Sequence, residues 1–209
     1  MVDPGVGENA NSRLLDMLAP AELTGRRMHL IRHAQPEIEP DVPPESWRLA
    51  PEGQRDALRL ADNLRRNAPA RIWSSREPKA METARILGRA LACPIAMHDG
   101  LSEVTFAAGF LTQAEFGRRV ASFLEGEADP AFEPYEEARR RIVGTLAEVC
   151  RYEAGDIAVV SHGRILTVLL AELLGRRLGA SAWRRIPMPG WTLIDLEHGT
   201  ALAGFARQF

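Results

Sequence analysis

The sequence predicts an α/β fold, a three-layer α/β/α arrangement with a mostly parallel central sheet. The first observation is that apolar runs of strand length alternate along the chain with amphipathic stretches of helix length, which is typical of a sheet covered by helices. The second is the run "IAVV" at residues 157–160, which is apolar at every position. A strand of this kind is expected where both faces of a sheet are buried.

Five short apolar runs are predicted to be the strands of this sheet. They occupy residues 28–32, 70–74, 95–97, 157–160 and 192–196. Each run has the length of a strand rather than of a helix, and the stretches between the runs carry the helical patterns.

The first helix is predicted over residues 51–67. Apolar residues such as Ala61 and Leu64 recur at helical spacing through this stretch. Pro51 suits a first helical turn, where a missing N–H costs nothing, and Pro69 ends the helix.

Four more helices follow. The second and fourth are marked by apolar residues at helical spacing, namely Met81, Ala84, Leu87 and Leu91 in the second and Tyr135, Ala138, Ile142, Leu146 and Val149 in the fourth. The third begins at Thr112, because Thr112 and Glu115 can satisfy each other's backbone donors in a capping box. The fifth, residues 165–174, is apolar almost all round, and we expect it to be the most buried helix.

We expect one domain at residues 26–209, preceded by a flexible tail at residues 1–25. A segment rich in Gly, Glu and Pro, at about residues 104–134, is interpreted as a short helical insertion over the active site. The tail has neither the basic start nor the apolar run of a secretory signal. A content of 45% hydrophobic and 26% charged residues in 209 is that of an ordinary globular chain.

Charge and cysteine content argue against several classes of protein. The 26 Lys and Arg against 28 Asp and Glu leave a formal charge of -2, so no nucleic-acid or anionic-membrane partner is predicted. The longest apolar stretch, residues 165–174, is far shorter than the roughly 20 residues of a membrane span. Cys93 and Cys150 form no Cys-x-x-Cys motif, which favours buried thiols and a reducing, cytoplasmic location.

Two histidines follow predicted strands. His33 comes directly after Arg32 at the carboxyl end of the first strand, the side on which open α/β sheets bind ligands. His162 follows the strand at residues 157–160 and precedes Gly163 and a helix. The start of a helix offers backbone N–H groups and a positive dipole end to an anion.

A third junction of the same kind carries cations. In "SSREPKA" a strand ends at the two serines, and Arg76 and Lys79 stand at the start of the next helix. Three strand-to-helix junctions therefore present two histidines and several cations, which predicts a phosphate-binding pocket.

These motifs resemble those of a known family. "LIRHA", "SSREPKAMETA", "LSEVTF" and "VVSHG", in this order, are similar to the motifs of the histidine phosphatase superfamily, which includes phosphoglycerate mutases. The similarity extends from about residue 28 to about residue 196. The resemblance implies that His33 is the nucleophile, that Arg32 and His162 act on the phosphate with it, and that Glu103 is the acid.

The sequence departs from the family pattern at Lys79, at Ala34 in place of the glycine after the first histidine, and at Glu39 or its neighbours in place of an asparagine. The resemblance assigns the family's second phosphate-binding arginine to Lys79, a point charge that lacks the bidentate fork of a guanidinium. Arg76, in the turn before, can supply that fork. The Gln35 amide can reach a phosphoryl oxygen or serve as a turn residue ahead of Pro36, and Gly163 contributes backbone N–H.

A phosphohistidine mechanism sets requirements for two of these residues. His33 must be neutral at the attacking nitrogen, and its other nitrogen needs an acceptor such as a backbone carbonyl. Glu103, held protonated, gives its proton to the leaving oxygen and then takes one from water. No metal or other cofactor is predicted, because the histidines and carboxylates show no ligand spacing. His29, His98 and His198 lie outside the motifs and are expected to be structural or exposed.

Hydrolysis of a small-molecule phosphomonoester is the first hypothesis. Only 58 residues separate Glu103 from His162, which leaves room for about two helices and little lid, and hydrolysis needs water to enter. A phosphoprotein is the alternative substrate. The alternative functions are a phosphoglycerate-type mutase and a non-catalytic phosphate-binding module. The segment "SAWRRIPMPGW" near the end of the chain is the candidate surface for a homodimer.

Overall fold

The computed structural model describes Leu18 and residues 23–109 and 111–209. Its centre is a six-stranded sheet with the strand order β3-β2-β4-β1-β5-β6. The strands are β1 Arg27–Arg32, β2 Arg71–Ser74, β3 Ile95–Met97, β4 Ile157–Ser161, β5 Gly190–Asp195 and β6 Thr200–Gly204. Apart from Leu18 and residues 23–25, the predicted tail lies outside the described residues.

Six α-helices connect or flank the strands in the described part of the chain. They are α1 Pro51–Leu64, α2 Pro78–Leu91, α3 Gln113–Glu125, α4 Tyr135–Tyr152, α5 Gly163–Leu173 and α6 Ala180–Arg185. Short 3-10 turns occur at Pro44–Ser46, Arg65–Asn67, Asp99–Leu101 and Phe205–Gln208. None of the described helices is long and apolar enough to cross a membrane.

The sheet separates two apolar cores. Side chains of one strand alternate between the two faces, so Leu30 packs in the core that contains α4 and α5. Ile31 packs on the opposite face with residues of α1 and α2. Helices therefore cover both faces of the sheet, which confirms the three-layer α/β/α prediction.

Four of the strands form the parallel part of the sheet and two do not. β4 pairs in parallel with both β1 and β2, and β2 pairs in parallel with β3. β5 runs antiparallel to β1 on one side and to β6 on the other. The sheet is therefore mixed, and it is mostly parallel because three of its five strand pairs are parallel.

Two elements were not predicted from the sequence. β6 at the edge of the sheet alternates between exposed and half-buried residues, and its small side chains produce only a weak strand pattern. α6 spans six residues, of which only Ala182 is buried. Short elements with little apolar periodicity give no signal that distinguishes them from loops.

The helices follow their predicted signals closely. α5 has nine buried residues among its eleven, which confirms that it is the most enclosed apolar helix, although it begins at Gly163 rather than at residue 165. α3 begins with the predicted capping box of Thr112 and Glu115. Cys93 and Cys150 are both buried and form no disulfide.

The segment at residues 104–134 holds α3 and a short antiparallel bridge. Phe106 pairs with Phe132 in this bridge, and Phe123 of α3 stacks on Phe132 with ring centroids 5.1 Å apart. The segment is thus held as a small aromatic unit against the core that contains α5.

Candidate active site

His33 stands immediately after β1 and is almost entirely buried. Its Nδ1 lies 2.8 Å from the carbonyl oxygen of Ala34, and because a carbonyl only accepts, Nδ1 carries the proton. Burial, more than any other influence, lowers the pKa of His33 to about 3. The ring is therefore neutral, with an unprotonated Nε2. The predicted carbonyl acceptor is confirmed.

His162 lies beside His33 because β1 and β4 are neighbours in the sheet. Arg32 pairs with Ser161 in the strand register, so the residue after each strand emerges at the same edge. The two imidazole centroids are 5.1 Å apart and the rings meet at 60°. Burial lowers the pKa of His162 well below its ordinary value, and His33 and Lys79 add to the effect.

Neither ring nitrogen of His162 makes a hydrogen bond of normal geometry within the described part of the chain. Leaving two buried polar atoms unpaired costs stability, on the order of 1–3 kcal/mol per group. Such a cost is typical of a position that is kept for a ligand or a reaction.

Arg32 projects toward Gly163 at the start of α5. Its Nη1 donates to the carbonyl of Ile186 over 2.7 Å, while its Nε is buried without a hydrogen bond to any described residue. A Cβ on Gly163 would lie 3.1 Å from the Arg32 Cζ and 3.0 Å from Nε1 of Trp183. Gly163 therefore permits the guanidinium to approach the helix start.

Lys79, in the first turn of α2, is buried and already ion-paired. Its Nζ donates to Glu77 Oε2 and to the carbonyl of Pro44, each over 2.6 Å. Its charge helps to lower the pKa of both His33 and His162, so it belongs to the same cluster. An ammonium group has three donors, and a third remains for a ligand.

Glu77 is a member of the cluster that was not predicted from the sequence. Its Oε1 lies 3.3 Å from Nε2 of His162 and accepts the backbone N–H of Glu103 over 2.8 Å. Burial raises the pKa of this carboxyl, while Lys79 acts in the opposite direction. Nothing in the sequence distinguished Glu77 from an exposed acid at the start of a helix.

Glu103 caps the start of α5. Its carboxylate accepts the backbone N–H groups of Val104, Arg164 and Ile165 over 2.9, 3.1 and 3.0 Å. Burial alone raises the pKa of Glu103, but the Arg164 charge and the three N–H donors outweigh burial and leave the pKa below its ordinary value. The ionised form of Glu103 is therefore favoured in this arrangement, and a protonated Glu103 beside a bound substrate stays a prediction.

Arg164 is a second member that was not predicted. Its guanidinium lies 6.0, 5.3 and 5.6 Å from the ring centroids of Phe106, Phe116 and Phe132. Its Nε is 3.3 Å from Glu103 Oε2. The segment at residues 104–134 thus contacts the cluster through this arginine. The sequence signal for Arg164 was its position in the motif "HGR", directly after the strand. Gly163 in the same motif had already been predicted to lie at the start of the helix.

Arg76 and Gln35 lie at the periphery. The side chain of Arg76 is 63% exposed and pairs with Asp99 over 2.6 Å. The guanidinium that was expected to bind phosphate therefore lies at the surface in an ion pair. The amide of Gln35 donates to the carbonyl of Pro36 over a long 3.4 Å. The geometry therefore gives no support to a phosphate-binding role for Arg76, and Gln35 has the contacts of a turn residue.

The remaining histidines fit their expected structural roles. His29 is buried, donates to the carbonyl of Asn67 over 2.7 Å and accepts from Trp191 over 2.9 Å. His98 and His198 contact acidic side chains nearer the surface. Within the described ranges, no three His, Cys, Asp or Glu side chains are grouped to hold a metal ion.

Together these side chains form one cluster at the carboxyl edge of the parallel strands. The cluster contains a neutral imidazole with an unprotonated Nε2, the cations Arg32, Lys79 and Arg164, and two carboxyl groups with opposite pKa shifts. Such a set can bind a tetrahedral oxyanion and exchange protons with it.

The chain is similar to known proteins over most of its length. Residues 28–204 match the model of the histidine phosphatase superfamily (branch 1). A probable phosphoglycerate mutase GpmB of Enterobacter sp. is 25% identical over 185 residues, which are 82% of this chain and 85% of that protein.

Solved structures share the fold. A phosphoserine phosphatase mutant from Entamoeba histolytica, in complex with phosphoserine, has a TM-score of 0.69 and 20% identity and covers 88% of this chain and 98% of its own. A mycobacterial glucosyl-3-phosphoglycerate phosphatase, in complex with VO3, has a TM-score of 0.64 and 22% identity and covers 81% and 91%.

Proposed function

The chain belongs to the histidine phosphatase superfamily, and on that premise we propose that it hydrolyses small-molecule phosphomonoesters through a phosphohistidine intermediate on His33. The observation that carries the proposal is the state of the His33 ring. A neutral imidazole with its proton on Nδ1, held by the Ala34 carbonyl, has the Nε2 lone pair available for attack on phosphorus.

The surrounding cations supply what phosphoryl transfer needs from a protein. Negative charge on the equatorial oxygens must be held and neutralised, and little covalent chemistry is required beyond the nucleophile. We assign charge neutralisation to Arg32 and Lys79, and hydrogen-bond donation to the neutral His162 ring and to the backbone N–H groups at Gly163. No metal is part of the proposed reaction, because Arg32 and Lys79 carry the positive charge themselves.

The reaction also needs a proton carrier. The leaving oxygen must gain a proton when the phosphorus–oxygen bond breaks, and the attacking water must lose one when the phosphohistidine is cleaved. The family resemblance assigns both transfers to Glu103. Glu77 is a second carboxyl group within the same cluster.

A phosphatase screen over sugar phosphates, phosphoglycerates, nucleotides and phosphopeptides tests the function. We expect the wild type to release phosphate from at least one class. His33→Ala should lose this activity by at least about 10³-fold, whereas His198→Ala, which changes an exposed histidine paired with Asp195, should retain it. Labelled phosphate trapped on the wild type by an alkaline denaturing quench, and absent from His33→Ala, identifies the intermediate. No release by the wild type from any substrate contradicts the proposal.

A phosphoglycerate-type mutase is the second candidate, because the GpmB relative is named a probable phosphoglycerate mutase. A mutase transfers the phosphoryl group back to its product and depends on a bisphosphate primer. We expect inorganic phosphate release without a primer. Interconversion of phosphoglycerates that requires the primer identifies a mutase instead.

A further inference from the structure

We propose that Arg164 is a specificity-determining residue that binds a carboxylate on the leaving group of the substrate. The substrate class, small hydroxy acids phosphorylated on their hydroxyl group, rests on the proposed phosphatase function. Of the three cations in the cluster, Arg32 and Lys79 are assigned to the phosphoryl oxygens. The guanidinium of Arg164 is left for another part of the substrate.

Arg164 is largely buried and has donors that the protein does not use. Its side chain is only 12% exposed, and neither Nε nor Nη1 makes a hydrogen bond of normal geometry to a described residue. The ring centroids of Phe106, Phe116 and Phe132 lie 5.3–6.0 Å away, and these rings offer no oxygen to the N–H groups. Buried donors without acceptors are unfavourable. The arrangement therefore favours an acceptor that arrives with the substrate.

The side chain of Arg164 leaves α5 in a different direction from the groups that hold phosphate. Consecutive residues of an α-helix point about 100° apart around its axis. Gly163 faces Arg32, whose Cζ would lie 3.1 Å from a Cβ at that position, whereas Arg164 contacts the segment at residues 104–134. Two of the three rings there, Phe106 and Phe116, are only partly buried. This side of the cluster is therefore open to a leaving group.

Glu103 relates Arg164 to the leaving oxygen. The family resemblance makes Glu103 the acid that protonates this oxygen, and Arg164 Nε lies 3.3 Å from Glu103 Oε2. A group that is a few bonds from the leaving oxygen therefore comes within reach of the guanidinium. Arg164 is placed to read the leaving group, while Arg32 and Lys79 hold the phosphoryl group.

The proton that Glu103 must carry explains why the group is a carboxylate. In the described part of the chain, Glu103 is the one carboxylate that pairs with Arg164. When Glu103 is protonated for transfer, Arg164 remains a largely buried cation without this counter-charge, which is strongly unfavourable. A substrate carboxylate matches the guanidinium fork and replaces the lost partner. Binding of the acid and protonation of Glu103 thus favour each other.

Matched acids and amides test this role. Phosphoglycolate and 3-phosphooxypropionate each carry one carboxylate, at two distances from the ester oxygen, and their carboxamides have the same shape without that charge. For the wild type we expect kcat/KM to be about tenfold to 10²-fold higher on the acid than on the amide at one of these lengths or both. In Arg164→Met the ratio should fall to about threefold or less. A loss that acts through the position of Glu103 affects acid and amide alike and leaves the ratio unchanged.

Arg119→Met is the matched control. The Arg119 guanidinium lies 5.6 Å from the centroid of Phe106, close to the 6.0 Å of Arg164. It differs in that Asp129 accepts two of its hydrogen bonds, over 2.7 and 2.8 Å. Because these donors are used within the protein, the ratio of acid to amide should stay within about twofold of the wild type.

Binding without turnover separates the two proposals. In His33→Ala, calorimetric titration should show tighter binding of the acid than of the amide, and the added change Arg164→Met should abolish this preference. A wild type that hydrolyses acid and amide equally well, or a ratio that Arg164→Met leaves unchanged, overturns the role of Arg164 and leaves the phosphatase function standing. A preference in binding without hydrolysis of any substrate by the wild type overturns the phosphatase function alone.

A second variant covers a failure to fold. If circular dichroism shows that Arg164→Met is unfolded, Arg164→Gln takes its place, because the amide keeps a polar group of similar length without the charge. The ratio of acid to amide should again fall to about threefold or less, and a ratio equal to that of the wild type counts equally against the proposal.

Discussion

The imidazole rings of His33 and His162 meet edge to face with their centroids 5.1 Å apart. The contact exists because β1 and β4 are adjacent and in register, so that two motifs far apart in the chain end at the same point of the sheet. The His33 ring has one hydrogen bond among the described residues, to the Ala34 carbonyl, whereas the ring nitrogens of His162 have none of normal geometry there.

The first prediction concerns His162. His162→Asn should lower kcat by about 10²-fold to 10³-fold, because the shorter amide no longer places a donor where the imidazole Nε2 meets the developing charge. Its free energy of unfolding should stay within about 1 kcal/mol of the wild type, because the native ring makes no strong hydrogen bond. Steady-state kinetics and chemical denaturation measure the two effects. An unchanged kcat contradicts the role of His162.

The second prediction concerns the close approach of Arg32 to Gly163. In Gly163→Ala the new methyl group would meet the Arg32 guanidinium at about 3.1 Å and Trp183 at 3.0 Å. We expect kcat/KM to fall about tenfold to 10²-fold, since a cation of the site is displaced by a fraction of an ångström. Kinetics of a folded variant measure it, and wild-type kinetics contradict the prediction.

Gly144→Ala is both the control for that substitution and a prediction of its own. A Cβ on Gly144, within α4, would meet nothing within 4 Å. Alanine in a helix interior is favoured over glycine, so the free energy of unfolding should rise by about 0.5–1 kcal/mol with unchanged kinetics. Urea denaturation checks the sign, and a loss of stability would show that the position is more crowded than the structure indicates.

The fourth prediction follows from the buried, neutral His33. Its pKa is about 3 in the folded protein, against an ordinary 6.5. Between these values the unfolded chain binds a proton that the folded chain does not, so stability falls as the pH falls from 6.5 toward 3. At about pH 5, the depressed pKa of His33 therefore lowers the free energy of unfolding by about 2 kcal/mol.

Denaturation of the wild type and His33→Asn, each near pH 7 and near pH 5, isolates this contribution. The wild type should lose about 2 kcal/mol more than the variant over that interval. Equal losses in the two proteins would mean that His33 titrates normally and is not buried as described.

The fifth prediction concerns the buried pair of Glu77 and Lys79, whose side chains are 12% and 8% exposed. Lys79→Met leaves a buried carboxylate without its partner and should cost about 3 kcal/mol near neutral pH. The double variant Lys79→Met with Glu77→Gln removes the orphaned charge. It should be less destabilised than the sum of the single changes by about 1–3 kcal/mol. Additive costs contradict a direct pairing.

Much of the architecture could be predicted from local patterns. Strands, helices and the capping box at Thr112 depend on apolar periodicity and on contacts between residues a few positions apart, and a sequence displays both directly. The elements that were missed, β6 and α6, are short and carry small or exposed side chains. Their conformation depends on neighbours that are distant in the chain.

The residues of the site, like the helices and strands, could be predicted only where a local pattern in the sequence marks them. His33, His162 and Glu103 were found because each sits in a recognisable motif, and the structure brings all three into one cluster. Glu77 and Arg164 were missed, and Arg76 was expected there although it is exposed and paired with Asp99. A charged residue at the start of a helix has no local feature that tells which way its side chain turns.

Residue order and apolar spacing were enough to establish an α/β chain with two histidines at strand ends and cations close behind them. The protonation state of each acid was decided by folding alone. Glu103 is ionised because α5 directs its N–H groups at it, while the Glu77 carboxyl has its pKa raised by burial beside His162. A pKa depends on the dielectric and the charges within a few ångströms, and those surroundings come from segments that meet only in the folded molecule.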